Sequence, residues 1–213
     1  MTTVRTYGDP CAAARALDLI GERWALMIVR ELLFGPKRYS DLQSGLPGAS
    51  PTVLSQRLRD LEQGEVIQRR KLGPPARAWV YELTDWGHQL QPILVQLGRW
   101  GRHSPAEQTT MALGTDSLML ALQSHLRPSR LRGLDATVLI DLGEDLFTLG
   151  VADGELTIQR GEPPRWDVAV RTDTATFKAL VIDGRSVGEL GDRLEITGDR
   201  EALQCLLDTL IPA

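Results

Sequence analysis

The sequence predicts an α+β fold in two parts, a mainly helical first half and a second half that mixes strands with helices. Apolar residues recur mostly at helical spacing up to about residue 102, whereas short alternating runs typical of strands dominate after it. Charge divides in the same way. Residues 1–104 contain 14 Lys and Arg against 10 Asp and Glu, and residues 105–213 contain 10 against 18. The two halves are therefore expected to be modules with different partners.

A polar segment without periodicity, His103–Thr110, separates the two halves. We predict a first domain at 1–102, a linker at 103–112 and a second domain at 113–213.

Composition excludes several classes of protein. The 213 residues are 42% hydrophobic and 24% charged, as in an ordinary soluble protein. The chain shows no apolar run near the roughly 18 residues that cross a bilayer, no signal-peptide pattern and too few cysteines for a disulfide framework. We therefore expect a cytoplasmic protein with no membrane partner. The net charge of −4 argues against nucleic acid, but the first half alone carries +4, so a nucleic-acid surface is expected there.

Four helices are predicted in the first sixty residues. Asp9 and Pro10 are typical of a helix start, and this helix is expected to end at Ile20. The next three are predicted at Trp24–Leu33, at Asp41–Ser44, and from the cap Ser50 and first residue Pro51 to Glu62.

The last of these helices has two distinct faces. Leu54, Leu58 and Leu61 lie at i, i+4 and i+7 and are predicted to be buried. The opposite face carries side chains that can hydrogen-bond base edges and phosphates, namely Thr52, Ser55, Gln56 and Arg59.

A basic hairpin is predicted next, with strands Val66–Leu72 and Trp79–Leu83. Its basic residues are Arg69, Arg70, Lys71 and Arg77. Thr84 then caps a long predicted helix, Asp85–Gly101, in which Pro92 should cause a kink or a broken backbone bond. Short helices followed by a hairpin with a basic tip form a winged helix-turn-helix.

The first half also contains a known order of residues and short motifs: Cys11, Leu17–Gly21, Trp24, Ile28, Leu32, Arg38–Leu42, Leu54–Glu62, Pro74–Pro75, Tyr81–Thr84, Gly87, Leu90 and Trp100. This order resembles that of the HxlR-type transcriptional regulators, a branch of the MarR-like winged-helix proteins. The resemblance covers roughly residues 9–102.

The resemblance implies a homodimer joined by its terminal helices, with the Ser50–Glu62 helix in the major groove of double-stranded DNA and the wing near the backbone or minor groove. The residues it implies in DNA contact are Thr52, Ser55, Gln56, Arg57 and Arg59 on the helix, Arg38 and Ser40 at phosphates, and Arg77 on the wing. Trp24, Trp79, Trp86 and Trp100 are expected in the core or the dimer interface. The family usually has Asp-Gly where this chain has Gly64–Glu65, so the left-handed residue that ends the helix is expected to shift by one.

Cys11 is open to two interpretations. In some HxlR-type relatives the cysteine at this position senses electrophiles, quinones or disulfide stress, and a helix N-terminus can lower the pKa of a thiol. The alternative is a small buried cysteine near the dimer interface. Cys205, in a predicted apolar helix, is expected in the core.

The second half is predicted to contain a helix, four strands, a helix, a strand and a helix. The expected segments are a helix at 115–126, strands Ala136–Leu142, Asp145–Val151, Glu155–Arg160 and Trp166–Arg171, helices Asp173–Ile182 and Val187–Leu190, strand Arg193–Thr197, and a last helix capped by Asp199.

This order, with the landmarks Asp153–Gly154, Trp166–Val168, Phe177 and Leu194–Asp199, resembles that of the sterol carrier protein-like domain over about residues 113–211. The resemblance implies a hydrophobic cavity for a lipid-like or other apolar small molecule. Its walls are expected to include Phe147, Trp166, Phe177, Leu180, Leu203 and Leu207. The alternative for each of these is an ordinary core position.

One motif points toward an enzyme, but its context argues against one. Gly184–Gly188 fits Gly-x-Ser-x-Gly, which needs a strand before it and a downstream histidine. The preceding segment is predicted to be helical, and all three histidines precede Ser186. No metal-site or dinucleotide motif occurs in the sequence. We therefore expect no enzyme, no metal and no cofactor.

We predict a DNA-binding transcriptional regulator, a repressor, whose second domain senses an apolar small molecule. Two alternatives stay open. One is a redox- or electrophile-sensing regulator that works through Cys11 and has a purely structural second domain. The other is a lipid-binding carrier with a vestigial helix-turn-helix.

Overall fold

The computed structural model describes residues 6–105 and 112–210. The chain forms two compact units that divide after Leu94. The predicted linker lies partly outside the described residues, and the predicted domain boundaries stay a prediction. Residues 95–101 are the last turns of a helix that begins in the first unit, but their contacts place them in the second unit.

The first unit contains the first four predicted helices and both predicted strands, with ends that differ by a few residues. Its elements are α1 Ala12–Ile20, α2 Ala25–Leu32, α3 Tyr39–Gly45, α4 Pro51–Gln63, β1 Ile67–Lys71, β2 Trp79–Leu83, α5 Asp85–His88 and the start of α6 Gln91–Gly101. The first helix begins later than predicted because Asp9 accepts a hydrogen bond from the backbone N–H of Cys11, which makes Cys11 the residue before the helix.

Helix α4 forms as predicted. Its cap Ser50 accepts a hydrogen bond from the N–H of Val53 at 3.4 Å, and Pro51 is the first helical residue. Leu54, Leu58 and Leu61 are fully buried and pack α4 against α1 and α2. The apolar stripe fixes which face of α4 points outward.

Strands β1 and β2 form the wing. A third segment, which the sequence did not predict, bonds to its backbone. Lys37, just before α3, exchanges two hydrogen bonds with Tyr81 of β2, at 2.9 and 2.8 Å. The side chain of Lys37 also pairs with the buried carboxylate of Glu31 at 2.7 Å. The segment before α3 is therefore tied both to the wing and to α2.

The predicted long helix Asp85–Gly101 is instead two helices, α5 and α6. Pro92 has no N–H for the carbonyl of His88, and its ring crowds that carbonyl. The first helix therefore ends at His88, and Pro92 is the second residue of the next one. Gly87 in α5 approaches the backbone of Val66 so closely that a Cβ would overlap its carbonyl oxygen, which explains why this position is a glycine.

The left-handed residue after α4 is Glu65, with φ 56°, whereas Gly64 has φ −82°. The expected shift by one position is therefore wrong. The backbone keeps its turn at 65, because Val66 donates to Leu61 and the hydroxyl of Thr84 donates to the carbonyl of Glu65 at 2.7 Å. A residue with a Cβ thus occupies a position that favours glycine.

Glu65→Gly is therefore expected to stabilise the first unit by about 1 kcal/mol, because glycine adopts this φ without the Cβ clash. Urea denaturation followed by circular dichroism measures the change. Glu65→Ala is the matched control, since it removes the same carboxylate but keeps the Cβ. Equal stabilisation by both variants would show that the side chain, not the backbone, is responsible.

The second unit contains an α+β arrangement around one sheet. After the last turns of α6, its elements are α7 Thr115–His125, a 3-10 turn Pro128–Arg130, β3 Ala136–Asp141, β4 Leu146–Ala152, β5 Glu155–Arg160, β6 Val168–Arg171, α8 Thr174–Val181, α9 Val187–Leu190, a 3-10 turn Gly191–Arg193, β7 Glu195–Gly198 and α10 Arg200–Leu210. The predicted order is confirmed, and α8 is capped as expected by Asp173, which accepts from Thr176.

The five strands form one sheet in the order β5-β4-β3-β6-β7. Strands β3 and β6 are parallel, and the other neighbours are antiparallel. Alternate residues of the central strands, such as Val138 and Ile140, are buried with the apolar residues of α7, α8 and α10. Strand β6 begins two residues later than predicted, because Asp167 bonds both to Thr137 and to the backbone of Asp199.

Candidate nucleic-acid interface

The outward face of α4 carries a row of polar side chains. Thr52, Gln56 and Arg59 lie at i, i+4 and i+7, opposite the buried leucines. Thr52 and Arg59 are exposed, and Gln56 is half-buried. Val53, which the sequence reasoning missed, is also exposed in the first turn. Its methyl groups suit contact with a thymine methyl group.

Arg59 and Gln56 are linked before any ligand is present. A guanidinium nitrogen of Arg59 donates to Gln56 Oε1 at 2.7 Å, and Gln56 Nε2 donates to Asp60 Oδ1 at 2.7 Å. The amide of Gln56 is thereby oriented, and it keeps one N–H and one lone pair for a further partner. That pair matches the N6 and N7 positions of adenine.

Arg57 and Ser55 lie on the two edges of this face. Arg57 pairs with Asp60 at 3.1 Å and with Glu22 at 3.7 Å. Ser55 donates to the hydroxyl of Tyr39 at 3.3 Å, and that hydroxyl donates to the carbonyl of Pro51 at 3.1 Å. Tyr39 thus links α3 to α4, and no sequence signal predicted this contact between distant residues.

Arg38 and Ser40 lie at the start of α3, and both are exposed. Asp41 accepts hydrogen bonds from the backbone N–H of Arg38 at 2.9 Å and from the hydroxyl of Ser40 at 3.1 Å. These contacts cap α3 and hold Arg38 and Ser40, the two residues predicted to contact phosphates, at its N-terminal end.

The basic residues of the wing differ in their partners. Arg70 holds Glu82 with two hydrogen bonds, at 2.8 and 2.7 Å, and this contact lowers the pKa of the Glu82 carboxyl. Arg69 instead stacks on the ring of Trp79 at 4.6 Å. Arg77 is exposed in the turn, with φ 41°. Trp79 is 50% exposed, so the core position considered for it is wrong.

The two cysteines are both exposed. Cys11 precedes α1, where hydrogen bonds from the backbone N–H groups of Ala13 and Ala14 lower the pKa of its thiol. In a single chain, therefore, Cys11 is not the small buried cysteine that the alternative interpretation expected. The core position expected for Cys205 is wrong, because it lies on the face of α10 opposite the buried leucines such as Leu203 and Leu207.

The terminal helices of the first half expose apolar side chains. Helix α1, which is described throughout, buries none of its residues, although Leu17 is among them. In α6, Ile93, Leu97 and Trp100 lie at i, i+4 and i+7 and are all exposed, Trp100 by 77%. Exposed apolar stripes of this kind are common where proteins associate.

Five of the six predicted pocket residues are buried in the second unit. None of Phe147, Phe177, Leu180, Leu203 and Leu207 is more than 3% exposed, whereas Trp166 is 36% exposed. An open concavity of about 470 Å³ is lined instead by residues that include Thr137, Thr148, Gln159 and Arg165. The pocket between sheet and helices stays a prediction.

Phe147 also lies beside an ion-pair cluster that is partly buried. Arg160 lies 4.5 Å from its ring, pairs with the buried Asp116 at 2.7 Å and pairs with Asp145. Thr115 donates to Asp145 at 2.6 Å. The cluster fastens the start of α7 to the sheet.

The hydroxyl of Ser186 has a structural role. It accepts from the N–H of Glu189 at 3.3 Å and caps α9, and helix α8, not a strand, precedes it. Within residues 6–105 and 112–210 no group of three histidine, cysteine or acidic side chains could hold a metal ion. No helix in the described parts of the chain is long and apolar enough to cross a membrane.

Comparison with known proteins gives matches to the first half. The model of the HxlR-like helix-turn-helix family matches residues 19–109. The uncharacterised helix-turn-helix transcriptional regulator YvaP of Bacillus subtilis is 38% identical over 86 residues, which are 40% of this chain and 80% of YvaP. The regulator YodB of the same organism is 34% identical over 85 residues, 40% of this chain and 76% of YodB.

Among solved structures, the reduced form of YodB from B. subtilis is 31% identical and covers 46% of this chain and 98% of its own, with a TM-score of 0.41. The oxidised form of the redox regulator HypR is 27% identical, covers 46% and 100%, and has a TM-score of 0.42. The family assignment rests on the sequence relatives, because the match to YvaP covers 80% of the length of YvaP. This chain belongs to the HxlR-like helix-turn-helix family and is a transcriptional regulator of the helix-turn-helix type.

Proposed function

We propose that this regulator is a repressor that binds operator DNA as a homodimer through α4 and the wing. The outward face of α4 carries the proposal. Its donors and acceptors, Thr52, Gln56 and Arg59, are held opposite a fully buried leucine stripe. Such a helix can enter the major groove and read base edges.

The remaining predicted contacts surround this face. Ser55 and Arg57 lie on its edges, Arg38 and Ser40 at the start of α3, and Arg77 on the wing. Arg57 would exchange its ion pairs with Asp60, at 3.1 Å, and with Glu22, at 3.7 Å, for a phosphate. Phosphate contacts position the protein, and the row on α4 supplies sequence preference.

A gel-shift titration with duplex DNA from upstream of its own gene tests this function. The logarithm of the affinity should fall linearly with the logarithm of the salt concentration, by about 0.9 per phosphate contact. If no retarded band appears at any salt concentration, the result contradicts DNA binding and favours the lipid-carrier alternative.

The exposed stripe of α6 and the exposed α1 support the homodimer. A partner copy would cover Ile93, Leu97 and Trp100, which a single chain leaves in water. Two copies related by a two-fold axis would present their α4 helices to half-sites about 34 Å apart, one turn of DNA.

We also propose that the second unit is a sterol carrier protein-like domain that takes an apolar effector. The helix and strand order and the single five-stranded sheet support this. Because the predicted wall residues are packed, ligand entry would require the core to open. The ligand shifts DNA binding only if its affinity differs between the two states. Native mass spectrometry of the purified protein tests for a retained apolar ligand.

Redox sensing by Cys11 is a second candidate function, and the exposed thiol with its lowered pKa favours it. A lowered pKa leaves more thiolate at neutral pH, and the thiolate is the species that reacts. We expect iodoacetamide to alkylate Cys11 of the folded protein with a lower pH midpoint than Cys11 of the urea-unfolded chain, as followed by peptide mass spectrometry.

Diamide should then change the DNA affinity of the wild type and of Cys205→Ser, but not that of Cys11→Ser. Equal diamide responses of the wild type and Cys11→Ser would remove this candidate.

A further inference from the structure

The two strands of the wing sort its basic residues onto opposite faces. The register pairs Arg69 with Tyr81 and Lys71 with Trp79, which places these four side chains on one face. Gln68 pairs with Glu82 and Arg70 with Val80 on the other face. Arg69 and Arg70 are therefore adjacent in sequence but meet different surroundings.

Arg70 is neutralised within the wing. Both carboxylate oxygens of Glu82 accept from its guanidinium, and Gln68 donates to the same carboxylate at 2.9 Å. This is the two-pronged geometry by which an arginine would grip a phosphate. To bind DNA, Arg70 would first have to release Glu82.

Arg69 carries its charge outward on an aromatic surface. Its guanidinium lies 4.6 Å from the ring of Trp79 and 5.9 Å from that of Tyr81. In the described parts of the chain no acidic side chain forms a salt bridge with it. Stacking on a ring face holds the planar group while its N–H donors at the edge stay available.

We propose that Arg69 is a phosphate-binding residue of the wing and that Trp79 is the residue that positions it. This inference rests on the proposed DNA binding, and it adds a contact to that of Arg77. The ring reduces the side-chain freedom that Arg69 would otherwise lose on binding. It also explains why a large aromatic side chain stays half in water at this place.

The test compares Arg69→Ala with Arg70→Ala, which remove the same charge from neighbouring positions of β1. The probes are duplexes that the full-length wild type selects from a random pool, and a scrambled duplex. Arg69→Ala should weaken binding to both duplexes about tenfold and reduce the salt slope by about 0.9 per bound protomer. Arg70→Ala should leave the slope unchanged, because Arg70 is already paired. Equal slopes for the two variants would overturn the assignment.

Trp79 is tested by a double-mutant cycle. Trp79→Leu should weaken binding about two- to five-fold, and Trp79→Phe should restore most of the loss because it keeps a ring face. In the Arg69→Ala background, Trp79→Leu should have no further effect on affinity, a coupling that general loosening of the wing would not produce. Additive effects would overturn the positioning role, and thermal melting checks that each variant is folded.

The outcomes separate this inference from the proposed function. A wild type that selects no duplex contradicts both. A wild type that selects duplexes, together with an Arg69→Ala variant that keeps the full salt slope, contradicts only the role of Arg69.

Discussion

Replacing Arg59 with alanine is expected to weaken binding to the specific operator by about 1–3 kcal/mol, roughly five- to 150-fold. Arg59 is exposed on the outward face of α4, and its guanidinium can bond two acceptors of guanine. The loss should be larger on the operator than on a scrambled duplex, because a base contact supplies specificity and a phosphate contact does not. Gel-shift titration on both duplexes measures the two affinities.

A charge-matched control excludes a general electrostatic effect. Arg165→Ala removes the same charge from an exposed position in the second unit and should leave both affinities nearly unchanged. If Arg59→Ala binds the operator as tightly as the wild type does, Arg59 does not read the operator. Equal losses on operator and scrambled DNA would make it a phosphate contact.

Trp100→Asp is expected to dissociate the proposed homodimer. The indole is 77% exposed in the single chain, so the substitution removes little from the fold of the protomer. In an interface the same side chain would be an aromatic anchor, worth about 2 kcal/mol or more, and the dimer dissociation constant should rise about 30-fold or more. Sedimentation equilibrium measures the constant, and operator affinity should fall with it.

Leu113→Asp is the matched control, because it puts the same charge at another exposed apolar side chain. It should leave the dissociation constant unchanged. If Trp100→Asp remains as dimeric as the wild type, the stripe of α6 is not the interface.

Local sequence signals predicted the elements well because each signal acts within a few residues. Ser50 and Pro51 begin α4, Asp173 begins α8, and the leucine stripe of α4 is buried as its spacing requires. Pro92 was expected to disturb a helix, and it separates α5 from α6. Each of these outcomes depends on residues that lie within a few positions of one another in the sequence.

The site was harder to predict because its geometry depends on residues far apart in the chain. Arg57 pairs with Asp60 one helical turn away, but it also pairs with Glu22, and no spacing rule predicts that second contact. No spacing rule predicts the bond between Ser55 and Tyr39 either. The difference between Arg69 and Arg70 appears only when the register of β1 and β2 is known.

Two further differences arise where one physical requirement competes with another. Glu65 takes the left-handed conformation because hydrogen bonds on both sides hold the backbone there, whatever side chain is present. Cys205 is exposed because its position on α10 faces away from the leucines, although it is next to Leu206 in the sequence. The helical period is thus a better guide to burial than the neighbouring residues in the sequence.

Selection of duplexes from a random pool by the wild-type protein tests the central claim most directly. The claim is that α4 gives this regulator sequence-specific binding to double-stranded DNA as a homodimer. We predict enrichment of an inverted repeat with half-sites about one helical turn apart, roughly 34 Å, and loss of that enrichment in Arg59→Ala. Recovery of a pool without any enriched sequence, or the same repeat enriched by both proteins, would contradict it.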